Sequence, residues 1–137
     1  KSAPADYPAV YTFCSNAMRY DALREKKQDS AVLVTSNLMD VCEEHDVLNY
    51  SELSFDEKGV CDNCVIMLMK LLMRLKAEKI YVAGFDGYQE NGDNYVKSYM
   101  ASQHTKGLEE NIRNRMFVEH IRKQIEVVFL TDSLYNG

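Results

Sequence analysis

No glycine-rich phosphate signature occurs anywhere in the chain. The absence of G-x-x-x-x-G-K-[ST] excludes a P-loop, and the absence of G-x-G-x-x-G leaves any mononucleotide to be held by other means. There is no apolar run long enough to span a bilayer. The longest, Cys64 to Leu75, is broken by Lys70 and Arg74. No secretory leader pattern is present. Basic residues are outnumbered 16 to 21, which leaves a net charge of −5 and a pI near 5.2. That balance argues against a nucleic-acid partner, which would favour a clustered basic face. The densest basic group, Arg24 to Lys27, reads as a solvated helix end. Histidine is scarce, and none of His45, His104 and His120 sits in a G-x-S-x-G, H-E-x-x-H or H-x-E…C-x-x-C pattern. Proline is scarcer still. Pro4 and Pro8 both fall in an opening stretch that reads as an extended lead-in.

What is present reads as one domain. At 137 residues, with 46% hydrophobic and 27% charged content, the chain is long enough for a core without staples. It begins with Lys1, so we expect residues 1–137 to be a processed chain or a C-terminal piece of a larger protein. Four cysteines without a secretion signal suggest free thiols and a cytoplasmic setting. Strand signals lie in "AVYTFCSN", "SAVLVTSN", "DVLNYS", "EKIYVAGFDGY" and "IEVVFLTDS". Helical signals lie in "AMRYDALREKK", in Asp62 to Lys76 and in Leu108 to Gln124. The second of these is apolar on most sides, as a helix buried on several faces would be. In the third, Leu108, Ile112, Phe117, Ile121 and Ile125 mark the inner side. Strand and helix alternate, and the strands are apolar runs. The pattern predicts an α/β fold: a three-layer α/β/α sandwich on a mainly parallel sheet of about five strands.

In open parallel sheets ligands bind beyond the carboxyl ends of the strands. Here those ends carry Ser15-Asn16, Ser36-Asn37, Asn49-Tyr50-Ser51, "GFDGY" and Thr131-Asp132-Ser133. The candidate ligand-binding residues are Ser15, Asn16, Ser36, Asn37, Asp86 and Tyr88, with Gly84 and Gly87 giving backbone access. The same residue types also cap the helices that follow strands, so a structural role competes with a cleft. Cys61 and Cys64 form a C-x-x-C pair. With Cys42 and His45 they make a formal zinc set, and a thioredoxin-like couple is a further reading. We favour a third, in which Asp62 caps the helix and the cysteines fill space. No metal, cofactor or catalytic residue is assigned.

The runs "YTFCSNAMRYDAL" and "VLVTSN", the "DN" leading into "IMLMKLL", "KIYVAGFDGY", "NYV" and "EVVFLTDSLY" carry a resemblance. From Val10 onward the chain resembles the C-terminal region appended to some bacterial aldolases of the hydroxymethylglutaryl-CoA-lyase-like class, often labelled 4-hydroxy-2-oxovalerate aldolase. The most specific pieces are "AGFDGY" and "FLTDSLY". The resemblance implies a Rossmann-like domain, similar to MptE-like pterin diphosphokinases and sialyltransferase-like proteins. It implies that aldol chemistry and its metal belong to an N-terminal TIM barrel, the expected partner, and not to this chain. The Gly-rich nucleotide loop of those relatives is missing here. Three functions compete. One is a non-catalytic accessory domain binding a nucleotide- or sugar-like ligand. Another is a sialyltransferase-like or pyrophosphokinase-like transferase, with Asp86 the only good base. The third is a homo-oligomer contact module with an exposed apolar patch drawn from Phe55, Tyr99, Met100 and Tyr135.

Overall fold

The computed structural model describes residues 11–25, 30–40, 45–89 and 107–137. Strand β1 (Tyr11–Cys14) leads into helix α1 (Ala17–Arg24), and β2 (Ala31–Thr35) runs into a 3-10 turn at Ser36–Leu38. Next come β3 (Asp46–Leu48), α2 (Tyr50–Ser54) and the two short strands β4 (Phe55–Asp56) and β5 (Gly59–Val60). Helix α3 (Cys64–Arg74), β6 (Lys79–Val82), α4 (Gly107–Arg122) and β7 (Glu126–Phe129) complete the described order. Part of the polar stretch after Tyr88, with Tyr99, Met100 and His104, lies outside the described residues, as do Cys42 and the opening prolines.

The fold is mixed α/β, and the five longer strands stand where the sequence puts them. They do not join into one hydrogen-bonded sheet among the described residues. β1, β2 and β3 form a three-stranded parallel sheet, with Tyr11 opposite Ala31 and Leu33 opposite Asp46. β6 and β7 form a separate parallel pair, with Lys79 opposite Glu126. β4 and β5 are an antiparallel hairpin that no sequence signal announces. Its strands have two residues each, too few for any alternation to register. The turn is set locally instead. Asp56 Oδ1 accepts from the Lys58 N–H at 2.8 Å, and Gly59 takes φ 109°, where a side chain would be strained. The expected strand over "DVLNYS" stops at Leu48 because Asn49 turns the chain into α2, its Oδ1 accepting from the Glu52 N–H at 3.2 Å.

Two apolar clusters hold these pieces. The larger joins Ile66 and Met69 of α3 to Ile80 and Val82 of β6 and to Phe117 and Ile121 of α4. The smaller joins Cys14, Tyr20 and Val34 on β1, α1 and β2 to Leu38 in the 3-10 turn. Each large side chain buried this way contributes about 1.5–3 kcal/mol.

Helix α4 corrects its expected inner side. Phe117 and Ile121 are buried, as expected, beside Asn114 and Val118, but Leu108 and Ile112 are exposed. The step from Ile112 to Phe117 is five residues, about 140° around a helix. The expected stripe therefore spliced two opposite faces. Tyr135, expected in an exposed patch, is 1% exposed and packs on Phe85 at 4.5 Å between ring centroids. Phe55 is exposed as expected.

Lys70 is the other surprise. It interrupts the apolar run of α3, yet it is only 5% exposed. Its Nζ stands 2.6 Å from Asp56 Oδ2 and 5.0 Å from the centroid of Phe117. The contact is an ion pair backed by the ring face. Burial alone would raise the Asp56 carboxyl. The Lys70 ammonium and the Lys58 N–H outweigh it and hold that carboxyl below the usual carboxylate range. A depressed carboxyl adds stability above its ordinary value, and that stability is lost as pH falls through the folded one. Lys70→Met keeps the stem's volume and leaves Asp56 alone. We expect a cost of about 2 kcal/mol near neutral pH, below that of a fully buried pair because Asp56 reaches solvent. In a melting series on the acid side, the variant should lose less than the native protein as pH drops. Parallel acid limbs would show that the pair contributes nothing.

Candidate functional site

The carboxyl ends of β1 and β2 are level, since Cys14 pairs with Val34. A Ser-Asn pair stands just beyond each strand, and the two pairs are stitched together. Asn37 Nδ2 donates to the Ser15 carbonyl at 3.0 Å, and Asn37 Oδ1 accepts from Thr35 Oγ1 at 2.5 Å. Asn16 caps α1, its Oδ1 accepting from the Arg19 N–H at 3.2 Å. Ser36 Oγ accepts from the Tyr50 N–H at 3.0 Å, which brings the end of β3 to the same place. From there the Tyr50 hydroxyl donates to Asp62 Oδ1 at 3.0 Å, reaching the segment before α3. Four of the six expected site residues, Ser15, Asn16, Ser36 and Asn37, therefore form one cluster. All four carry uncharged hydroxyl or amide groups. Ser15 and Thr35 are buried, whereas Asn16 is exposed.

Asp86 and Tyr88 belong to a second cluster, beyond β6 and β7. The Gly84 N–H donates to Thr131 Oγ1 at 2.9 Å, and Ser133 Oγ donates to the Phe85 carbonyl at 2.6 Å. The Leu134 N–H donates to the Asp86 carbonyl at 2.9 Å. Asn111, on α4, grips Tyr88 at both backbone atoms. It accepts from the Tyr88 N–H at 2.9 Å and donates to its carbonyl at 2.7 Å. The Tyr135 hydroxyl also donates to Asn111 Oδ1, at 2.7 Å, and Asn114 Nδ2 donates to that hydroxyl at 3.3 Å. Gly84 and Gly87 have φ of 71° and 97°. A Cβ on Gly87 would lie 2.8 Å from Leu134 Cδ1, so this glycine serves the packing of the tail as well as the turn. Sequence reasoning missed Asn111 because it lies mid-helix, with no local signal of a partner 23 residues earlier.

The cysteines separate. Cys14 and Cys61 are buried, and burial pushes both thiols up, away from the reactive thiolate. Cys64 is exposed at its surface; its thiol is still raised, by the crowding behind it. The residue chosen as the α3 cap is wrong by one. Asn63 accepts from the N–H groups of Val65 and Ile66 at 3.0 and 3.3 Å, while Asp62 takes the Tyr50 hydroxyl. His45 pairs its Nε2 with the Tyr20 hydroxyl at 3.0 Å. Of the formal zinc set, Cys42 lies outside the described residues, and among those described no three ligand-type side chains gather at one point.

A cleft of about 90 Å³ opens away from the strand ends, against Phe55, Asp56, Lys70, Arg74 and His120. Its charges answer one another. Beyond the Lys70–Asp56 pair, Arg74 holds Glu52 at 2.8 Å through both the carboxylate and the carbonyl. Its volume suits about three waters.

Asn37→Ala removes the stitch to Ser15 and the bond from Thr35 Oγ1, and should cost about 1–2 kcal/mol, read as a lower melting temperature. An unchanged melt would mean that these bonds carry no stability. Under native alkylation followed by mass spectrometry, Cys64 should be labelled well before Cys14 and Cys61. Equal labelling would contradict their burial. No known protein family matches this chain, and neither does any curated protein or solved structure.

Proposed function

We propose that the chain is a non-catalytic accessory domain holding a small uncharged polar group, the sugar or nucleoside part of a ligand, at the ends of β1 and β2. In this reading it is the Rossmann-like domain appended to an aldolase-type lyase of the 4-hydroxy-2-oxovalerate aldolase kind. An N-terminal TIM barrel is then its partner, and its two parallel blocks are halves of one α/β/α sandwich. The observation that carries the binding reading is the convergence of Ser15-Asn16 and Ser36-Asn37 on level, parallel strand ends. Ligands gather beyond such ends in open α/β sheets. The four side chains offer hydroxyl and amide groups without a cation or carboxylate among them. That chemistry suits hydroxyl-bearing ligands better than bare phosphates. The parent class rests on the sequence runs that carry the resemblance. A non-catalytic role draws support from the raised thiols of Cys14 and Cys61 and from His45 being engaged with Tyr20.

A melting panel of nucleosides, nucleotide sugars, free sugars and coenzyme A tests this. A ligand at a hundred times its dissociation constant adds about 2.7 kcal/mol, several degrees for a domain of this size. We expect a shift with a hydroxyl-bearing ligand and none with inorganic phosphate. Asn16→Ala and Ser36→Ala should each shrink that shift beyond their own effect on the unliganded melt. A flat panel, or a shift that both variants retain, would remove the strand ends as the site.

A further inference from the structure

Helix α4 has two apolar faces, and among the described residues only one packs into the core. Phe117, Val118 and Ile121 pack inward. On the opposite side Leu108, Ile112 and Met116 follow at intervals of four residues and are 56%, 74% and 38% exposed. Isolated apolar side chains on a surface are ordinary; three in register on one helix face are not. An amphipathic helix buried on one side should carry charge on the other. Here the charges stand beside the stripe: Glu109 and Arg113 on one flank and Arg115 on the other.

We infer that this stripe is the contact surface for a second copy of the chain, packed antiparallel along α4. The pattern is its own complement. Leu108 and Met116 lie equally far from Ile112, about 6 Å to either side along the axis. A two-fold axis at Ile112 therefore lays Leu108 of one copy against the partner's Met116, with the two Ile112 side chains at the centre. A two-fold contact requires such self-complementarity. The charges agree with that orientation. Glu109 stands in the acidic first turn of α4 and Arg113 one turn further on. Glu109 and Arg113 share one edge of the stripe, so Glu109 comes beside the partner's Arg113. A parallel pair would oppose like charges. Three side chains make a small contact, so the dimer is weak and shows only as concentration rises.

Sedimentation equilibrium of the 137-residue chain over a concentration series tests the inference. We expect a reversible monomer–dimer equilibrium, weakened about tenfold or more by Ile112→Lys at its centre. Glu109→Arg and Arg113→Glu should each weaken it, and the double variant should restore it. In a Cys64→Ser background, Ile112→Cys should cross-link to itself under mild oxidation, and Arg122→Cys, off the stripe, should not. A chain that stays monomeric at every concentration overturns the proposal and gives the stripe a different partner. So does a dimer indifferent to Ile112→Lys, provided the variant melts like the native chain.

Discussion

The charge that α3 buries organises this fold. Lys70 is enclosed between the helix layer and the ring of Phe117, where an ammonium without a counter-ion would be strongly destabilising. The counter-ion comes from a hairpin of two-residue strands that has little reason to exist on propensity. The hairpin's turn is closed by the same carboxylate that meets Lys70, since Asp56 Oδ1 takes the Lys58 N–H while Oδ2 faces the ammonium. One side chain thus sets the turn, neutralises the core lysine and places the hairpin against α3. Arg74, one turn on, repeats the device more loosely by clasping Glu52 of α2. The segment from α2 to β5 is attached through these charges as well as through the buried Leu53.

Asparagine does the corresponding work at the strand ends. Asn16, Asn49 and Asn63 each turn a descending chain into a helix, and Asn37 and Asn111 each bridge segments at least 22 residues apart. An amide that both donates and accepts can replace the two backbone partners a strand loses where it stops. This is why the same residues read equally well as caps and as ligand contacts. A capping Asn16 spends its oxygen on the helix and keeps its amide N–H groups for something outside.

The elements set by local chemistry were legible in the sequence. The five strands, α1, α3 and α4 come from apolar runs and helix-forming stretches, and their ends from Ser-Asn and Gly signals. The cluster at Ser15, Asn16, Ser36 and Asn37 was legible because parallel strands put their ends on one edge. What was not legible depends on position in three dimensions. The burial of Lys70 depends on Asp56, and the grip of Asn111 depends on Tyr88. The outward face of α4 was hidden because a list of apolar residues does not say which of two opposite faces each one joins. The cap at Asn63 instead of Asp62 was missed for a smaller reason: either side chain can cap, and one residue of phase decides.

The parallel pair β6–β7 joins residues 47 positions apart, Lys79 with Glu126, and Tyr135 closes the same core. During synthesis α3 finds α2 and β1 already made, but β6 leaves the ribosome before the strand it pairs with. At about 5–20 residues per second, β7 arrives roughly 2–10 s later. The three-stranded sheet can form first, because its strands are all made by Leu48. The newborn chain therefore passes through a half-folded stage that exposes Ile66, Met69, Ile80 and Val82 together. That interval is when a chaperone, or a neighbouring chain on the same message, has its best access to this core.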